Sequence, residues 1–121
     1  MLSPTSSTGS GSGDAAETMS ESPWLATAAR GPDPTAQLSA TVERIRAENN
    51  LDFVVVMDTH GIRWTHPNPE QLGHTYTGSI TDALQGVTVV EETLGTLGSS
   101  IRVVAPITSE GRVVALVAAG Y

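Results

Sequence analysis

The chain has 121 residues, with six basic and thirteen acidic side chains and no cysteine. That length predicts one small domain and excludes a whole transporter or multidomain enzyme. The net charge of −7 disfavours nucleic acid as a partner, because nucleic-acid-binding surfaces are basic. Without cysteine there is no disulfide, thiol nucleophile or thiolate metal site, and no apolar run approaches the ~18 residues that cross a bilayer.

The first 32 residues divide into two segments. Residues 1–13 are almost all Ser, Thr, Gly and Pro, a composition that cannot bury a core, and they predict a flexible tail. This tail has neither the basic start nor the apolar centre of a signal peptide, so none is expected. Residues 14–32 predict a weakly helical segment interrupted at Pro23, and residues 33–121 predict a single folded domain.

A helix start is signalled at the beginning of that domain. Asp33 suits an N-cap, and Pro34 suits the first helical position because its fixed φ is helical. Apolar side chains then recur at helical spacing. The helix is predicted to end at Asn49 and Asn50.

From residue 51 onwards the pattern is that of β-strands. The strands are predicted over residues 52–57, 62–65, 87–94, 100–108 and 112–119. A turn containing Gly61 joins the first two strands, residues 79–85 predict a short helix, and the last three strands form an antiparallel meander.

This order predicts an α+β domain. It has a five-stranded antiparallel sheet, an N-terminal helix and a short helical insertion between strands 2 and 3. The arrangement resembles that of PAS domains, while a roadblock-like or profilin-like sheet fits the same pattern.

Arg63 and His66 are the first pair of side chains with binding chemistry. A guanidinium and an imidazole together suit a carboxylate, because arginine binds it bidentately and histidine adds a donor. Residues three apart on a strand face opposite sides, but a bend at Pro67 would turn His66 back towards Arg63. The alternative is a solvated arginine and a loop histidine.

Arg102 is the second feature, because it interrupts an otherwise apolar strand. A charge in such a strand is costly unless it is paired or bound to an anion. Alternation places Arg102 and Val104 on one face of the sheet. Glu91 or Glu92 on the preceding strand would provide a purely structural partner.

Two further patterns are only weak indications of a binding site. The turn at residues 95–100 offers backbone N–H groups and hydroxyls to an anion, but it lacks the spacing and the lysine of a phosphate loop. The three histidines, His60, His66 and His74, fit no zinc-binding spacing. The sequence therefore predicts no metal site and no cofactor.

Taken in order, these pieces resemble the extracytoplasmic PAS sensor domains of the citrate- and dicarboxylate-sensing histidine kinases, over about residues 33 to 121. The matching stretches are FVVVMD at 53–58, GIRWTHPNP at 61–69, LG at 72–73, LGTLGSSIR at 94–102, API at 105–107 and GRVVALV at 111–117. The Arg-x-x-His-Pro element combined with the later Ser-Ile-Arg is the most specific part of the match.

The resemblance implies roles for particular residues. Arg63 and His66 look like the family's carboxylate-binding arginine and histidine, and Arg102 looks like its second carboxylate-binding arginine. Thr96 and Leu97 look like the positions that offer a hydroxyl and backbone donors.

Three more positions bear on the ligand that the resemblance implies. Tyr76 falls at a pocket-wall position that is aromatic in some dicarboxylate sensors. Val104 stands where citrate sensors tend to have a lysine, and Val55 lacks the hydroxyl that they have at that point. Malate, fumarate or succinate is therefore favoured over citrate.

The implied function is that of a sensor domain, not an enzyme, which binds a small di- or tricarboxylate and signals to a histidine kinase. The parent receptor is expected to be a homodimer, with this domain on the extracytoplasmic side of the plasma membrane. The flanking membrane helices and the kinase module are missing from this chain, which alone is expected to be soluble.

Two alternatives remain open on the sequence. A roadblock-like or profilin-like interaction domain without a small-molecule ligand would not gather Arg63, His66 and Arg102 into one buried cluster. An enzyme that uses His66 with Asp58 or Asp82 would show turnover and a perturbed pair of titratable groups in a cleft.

Overall fold

The helices α1 (Pro23–Ala29) and α2 (Pro34–Glu48) precede the sheet in the computed structural model, which describes residues 18–95 and 98–120. Each helix begins with a proline that directly follows a capping residue. Proline suits the first helical position because it has no N–H group that would lack a partner there. Asp33 caps α2 by accepting a hydrogen bond of 3.1 Å from the Ala36 N–H. The predicted start and end of α2 are confirmed, and the interruption predicted at Pro23 is the start of α1.

One antiparallel sheet follows. Its strands are β1 (Phe53–Met57), β2 (Val89–Gly95), β3 (Gly98–Ser109) and β4 (Arg112–Gly120), in the spatial order β1-β4-β3-β2. The predicted meander of the last three strands is confirmed. A short 3₁₀ helix (Pro69–Gln71) and α3 (Thr81–Leu84) lie between β1 and β2, so the domain is a mixed helix and antiparallel-sheet fold.

The prediction of five strands is wrong: the described residues form four, and Ile62–Thr65 is not a strand. The turn before it forms as expected, with Gly61 at φ 83°. After one bridge, between Met57 and Arg63, the backbone leaves the ladder. The N–H groups of residues 64 and 65 both bond the Val56 carbonyl, and the Thr65 hydroxyl accepts the Val56 N–H at 2.9 Å. A side chain thus takes the place of the carbonyl that a strand partner would offer.

The sheet buries a separate core on each face. The helix-side core contains Met19, Leu25, Ala28, Leu38, Val42, Val54, Val56, Val103, Ala105, Ile107 and Val117. The pocket-side core contains Val55, Met57, Tyr76, Ala83, Val104, Leu116 and Ala118. The alternation predicted for β3, with Val104 on one face and Val103 on the other, is confirmed.

The helix-side core reaches beyond the predicted domain boundary at residue 33, since Met19 and Leu25 are each 3% exposed. Experiments should therefore keep α1, whose removal would expose this core. The tail predicted for residues 1–13 lies outside the described residues and stays a prediction. Within the described ranges, no helix has both the length and the hydropathy needed to cross a membrane.

Candidate functional site

Hydrogen bonds on both sides hold the segment that carries Arg63 and His66. The Asp58 carboxylate accepts the N–H groups of His60 and Ile62, which forms the turn before the segment. The Arg63 N–H donates to the His74 carbonyl, and the Arg63 carbonyl accepts the Gly73 N–H. The backbone of Arg63 is therefore fixed before any ligand is present.

A cavity of about 120 Å³ lies on the pocket-side face of the sheet. Its lining residues are Phe53, Val55, Arg63, His66, Tyr76, Thr77 and Arg102. Four residues predicted for the site therefore share one cavity, although His66 and Arg63 would face opposite sides in a regular strand. The volume is well below the ~300–1,000 Å³ of pockets that bind drug-sized ligands, so the cavity suits a ligand of only a few heavy atoms.

The register of three strands brings Arg102 to this cavity. Gly120 of β4 lies opposite Phe53 on one side and Arg102 on the other. A Cβ added to Gly120 would collide with the Phe53 ring, so the ring packs directly over this glycine. The row therefore places Phe53 and Arg102 on one face, with only a glycine between them.

The Tyr76 ring lies close to both guanidinium groups. Cζ of Arg63 is 5.9 Å from the Tyr76 ring centroid, and Cζ of Arg102 is 5.8 Å from it. These distances fit cation–π contacts. Gly78 allows the arrangement, because a Cβ there would lie 2.6 Å from Cε2 of Tyr76 and 2.8 Å from Nη1 of Arg102.

Two buried polar atoms of the site have no hydrogen-bond partner among the described residues: Nε of Arg63 and the hydroxyl of Tyr76. Arg63 is only 9% exposed, and its side chain has a single hydrogen bond within the described part of the chain, of 3.2 Å from Nη1 to Oε1 of Gln71. Arg102 lies close to the Tyr76 hydroxyl without hydrogen-bonding it. Buried unpaired donors are costly, so these atoms favour a bound acceptor.

The protonation states of His66 and Tyr76 leave each side chain with a hydrogen that it can donate to an anion. Burial, and then the charge of Arg63, lower the pKa of His66 below 6.5, so its imidazole is neutral at pH 7. Its Nδ1 accepts the Asn68 N–H at 2.9 Å, which leaves the proton on Nε2. Burial is the main cause that raises the pKa of Tyr76 above 10.0, so its phenol keeps its proton.

The structural partner predicted for Arg102 is present as well. Glu91 lies opposite Arg102 in the sheet, with Oε1 3.9 Å from Nη1. Both side chains are more than 40% exposed, so this pair is weak in water. Arg102 therefore lines the cavity and also has a distant carboxylate neighbour.

The remaining predicted residues lie apart or outside the described residues. Thr96 and Leu97 are outside them, so their role stays a prediction. His60 and His74 are exposed, and they do not join His66 in the cavity. Within residues 18–95 and 98–120, no three His, Cys, Asp or Glu side chains cluster closely enough to hold a metal ion.

The sequence reasoning missed Phe53, Thr77 and Gly78. Phe53 carried a usable signal, since it alternates with Val55 and so shares its face of β1. Gly78 carried none, because the need for a missing Cβ depends on where Tyr76 and Arg102 come to lie.

Comparisons with known proteins agree with this geometry. A family model described as single cache domain 3 matches residues 8–121. The chain belongs to the single cache domain 3 family.

Sensor histidine kinases are among the relatives of this chain, which confirms the resemblance to kinase sensor domains that the sequence indicated. DcuS from Escherichia coli O6:H1 is 32% identical over 96 residues, which are 78% of this chain but only 18% of that kinase. The crystal structure of the E. coli DcuS sensor domain has a TM-score of 0.77 and 30% identity, and the match covers 90% of this chain and 84% of that one. A second structure, the sensory domain of the membranous two-component fumarate sensor DcuS of E. coli, has a TM-score of 0.59 and 30% identity, over 90% and 82% of the chains.

Proposed function

We propose that this cache domain binds a small dicarboxylate between Arg63, His66 and Arg102 and passes that signal to a membrane-bound histidine kinase. The observation that carries the proposal is the shared cavity, which is lined by the guanidinium groups of Arg63 and Arg102. Two of its buried donors, Nε of Arg63 and the Tyr76 hydroxyl, have no hydrogen-bond partner among the described residues. A carboxylate would supply the missing acceptors, and bidentate bonds to a guanidinium are among the strongest available to it.

The two ends of the site suit the two ends of a four-carbon diacid. Arg63 with His66 would hold one carboxylate, and Arg102 the other, with help from Thr96 and Leu97 in the turn after β2. The Tyr76 ring, 8% exposed, would form the wall between them. That one solved relative is described as a fumarate sensor supports the same ligand class.

The signal would arise because the ligand joins two parts of the chain that come from different structural elements. Arg63 belongs to the segment after β1, while Arg102 lies in β3 opposite Gly120, at the end of β4. Binding can shift a conformational equilibrium only by the difference in affinity between its states. Reversing a 1:99 ratio needs about 5.5 kcal/mol, which two or three charge-assisted bonds of ~1.5–3 kcal/mol can supply.

The location proposed for the domain is the extracytoplasmic side of the plasma membrane, as part of a larger homodimeric receptor. The domain itself is proposed to bind rather than to catalyse. The enzyme alternative is disfavoured because Asp58 uses its carboxylate in the turn, bonded to the N–H groups of His60 and Ile62. The interaction-domain alternative gives no reason for Arg63 and Arg102 to share a cavity.

We expect malate, fumarate or succinate to bind at least about tenfold more tightly than citrate, a margin of ~1.4 kcal/mol. Val55 lines the cavity and Val104 lies beside it, each 1% exposed. A third carboxylate against these methyl groups would lose water without gaining a partner. Calorimetry on the full chain with the four acids measures this; no heat with any of them would refute the proposed function, and tighter citrate binding would refute the ligand class.

We also expect binding of fumarate to tighten as the pH falls from 8 to 5.5. The bound dianion raises the depressed pKa of His66, so the complex takes up a proton between the two pKa values, and affinity changes roughly tenfold for each pKa unit of that rise. Glu43, which shares a small cavity with His66, does not titrate in this range because its bond to Arg46 lowers its pKa below 4.5.

Titrations in buffers of different ionisation enthalpy measure that proton uptake directly. His66→Gln is the matched variant, because it keeps a donor but cannot be protonated. A pH dependence that survives in His66→Gln would assign the effect to another group.

A further inference from the structure

Glu91 is an acidic residue beside the cavity. The two charged residues that line this cavity, Arg63 and Arg102, are both arginines, and His66 is neutral. It pairs in register with Arg102, so both side chains stand on the same face of the sheet. The 3.9 Å between Oε1 and Nη1 is near the outer limit of an ion pair. The charge of Glu91 also contributes to raising the pKa of Tyr76, although burial contributes more.

The next residue, Glu92, carries the same charge in a different place. It pairs with Ile101, whose side chain packs against the helix-side core. Because successive strand residues point to opposite faces, Glu92 faces away from the cavity. The chain thus provides a matched control for the charge of Glu91.

We infer that Glu91 is a resident carboxylate that competes with the ligand for Arg102 and selects ligands by their charge, an inference that rests on the proposed carboxylate binding. In the free protein Glu91 balances part of the charge of Arg102. A ligand that binds Arg102 brings a second carboxylate close to Glu91. Like charges so placed repel each other, and the repulsion grows with each carboxylate that the ligand carries.

Counting charges gives the direction of the selection. Arg63 and Arg102 together carry +2, and Glu91 reduces this to +1, with His66 neutral above pH 7. A dicarboxylate brings the occupied site to −1 and a tricarboxylate brings it to −2. Glu91 therefore disfavours tricarboxylates by electrostatics, in addition to the lack of polar partners at Val55 and Val104.

The test is calorimetry on the full chain at pH 8 with three ligands of rising charge: monomethyl succinate, succinate and tricarballylate. We expect E91Q to bind succinate about threefold to fivefold more tightly than the unsubstituted chain, the size expected for a partly exposed charge pair. The gain should be smaller for the monoester, larger for the triacid and reduced at high salt. E92Q should bind all three as the unsubstituted chain does.

Three results would overturn the inference while the proposed function stands: equal affinity in E91Q, equal tightening in E92Q, or the same gain for all three ligands. Binding of none of the three ligands by any of the three proteins would instead overturn the proposed function, and this inference with it. Since the Glu91 side chain is 44% exposed, E91Q is expected to fold, and E91S provides a second neutral variant with the same expected direction.

Discussion

Replacing Arg102 by alanine is expected to weaken dicarboxylate binding by about a hundredfold or more. Two charge-assisted hydrogen bonds are lost, each worth ~1.5–3 kcal/mol, and a hundredfold corresponds to ~2.7 kcal/mol. Arg102→Lys should fall between, because lysine keeps the charge but cannot bind a carboxylate bidentately. Calorimetry with succinate measures the whole series.

The control for this series is Arg112→Ala. Arg112 is an exposed arginine of the same sheet, at the opposite end of β4 from the cavity, and its removal changes the net charge equally. If both alanine variants bind succinate alike, Arg102 contributes only general charge and is not a ligand-binding residue.

Replacing Arg63 by methionine is expected to abolish detectable binding and, at the same time, to stabilise the ligand-free protein by about 1–2 kcal/mol. Arg63 is buried, its Nε lacks a partner, and no carboxylate of the described residues forms an ion pair with it. Methionine has a similar length without a charge to desolvate. Urea unfolding in the absence of ligand measures the gain.

Arg46→Met is the matched control, because the Arg46 guanidinium has a carboxylate and a carbonyl as partners, which the Arg63 guanidinium does not. Arg46 bonds the Glu43 carboxylate and the Leu51 carbonyl, so its loss should lower stability and leave binding unchanged. If Arg63→Met is also destabilising, the guanidinium has a stabilising partner in the free protein, and the orphaned donor at Nε is not held ready for a ligand.

The two expectations differ because the two arginines are held differently. Arg102 is partly exposed and has Glu91 nearby, so the free protein bears little cost for it. Arg63 is buried and has no counter-ion among residues 18–95 and 98–120, a cost that a bound anion would offset. Relief of this cost adds to the affinity of the ligand, and it shifts the conformation to the extent that only one state lets the ligand reach Arg63.

The sequence by itself determined the features that depend on neighbours along the chain. The Asp33 cap and Pro34 start of α2, the positive φ of Gly61 and the meander from β2 to β4 follow from local backbone preferences and short connections. Alternation along β3 likewise placed Arg102 and Val104 on one face.

Only the tertiary structure decided the features that depend on distant atoms. The Ile62–Thr65 segment reads as a strand, but the Thr65 hydroxyl bonds the Val56 N–H and ends the ladder, which no periodicity signals. The meeting of Arg63 with Arg102 depends on the registers of β1 with β4 and of β4 with β3. The lowered pKa of His66 depends on burial, and the need for glycine at position 78 depends on two side chains from other parts of the chain. Such properties arise from packing, because they are set by atoms that become neighbours only when the chain folds.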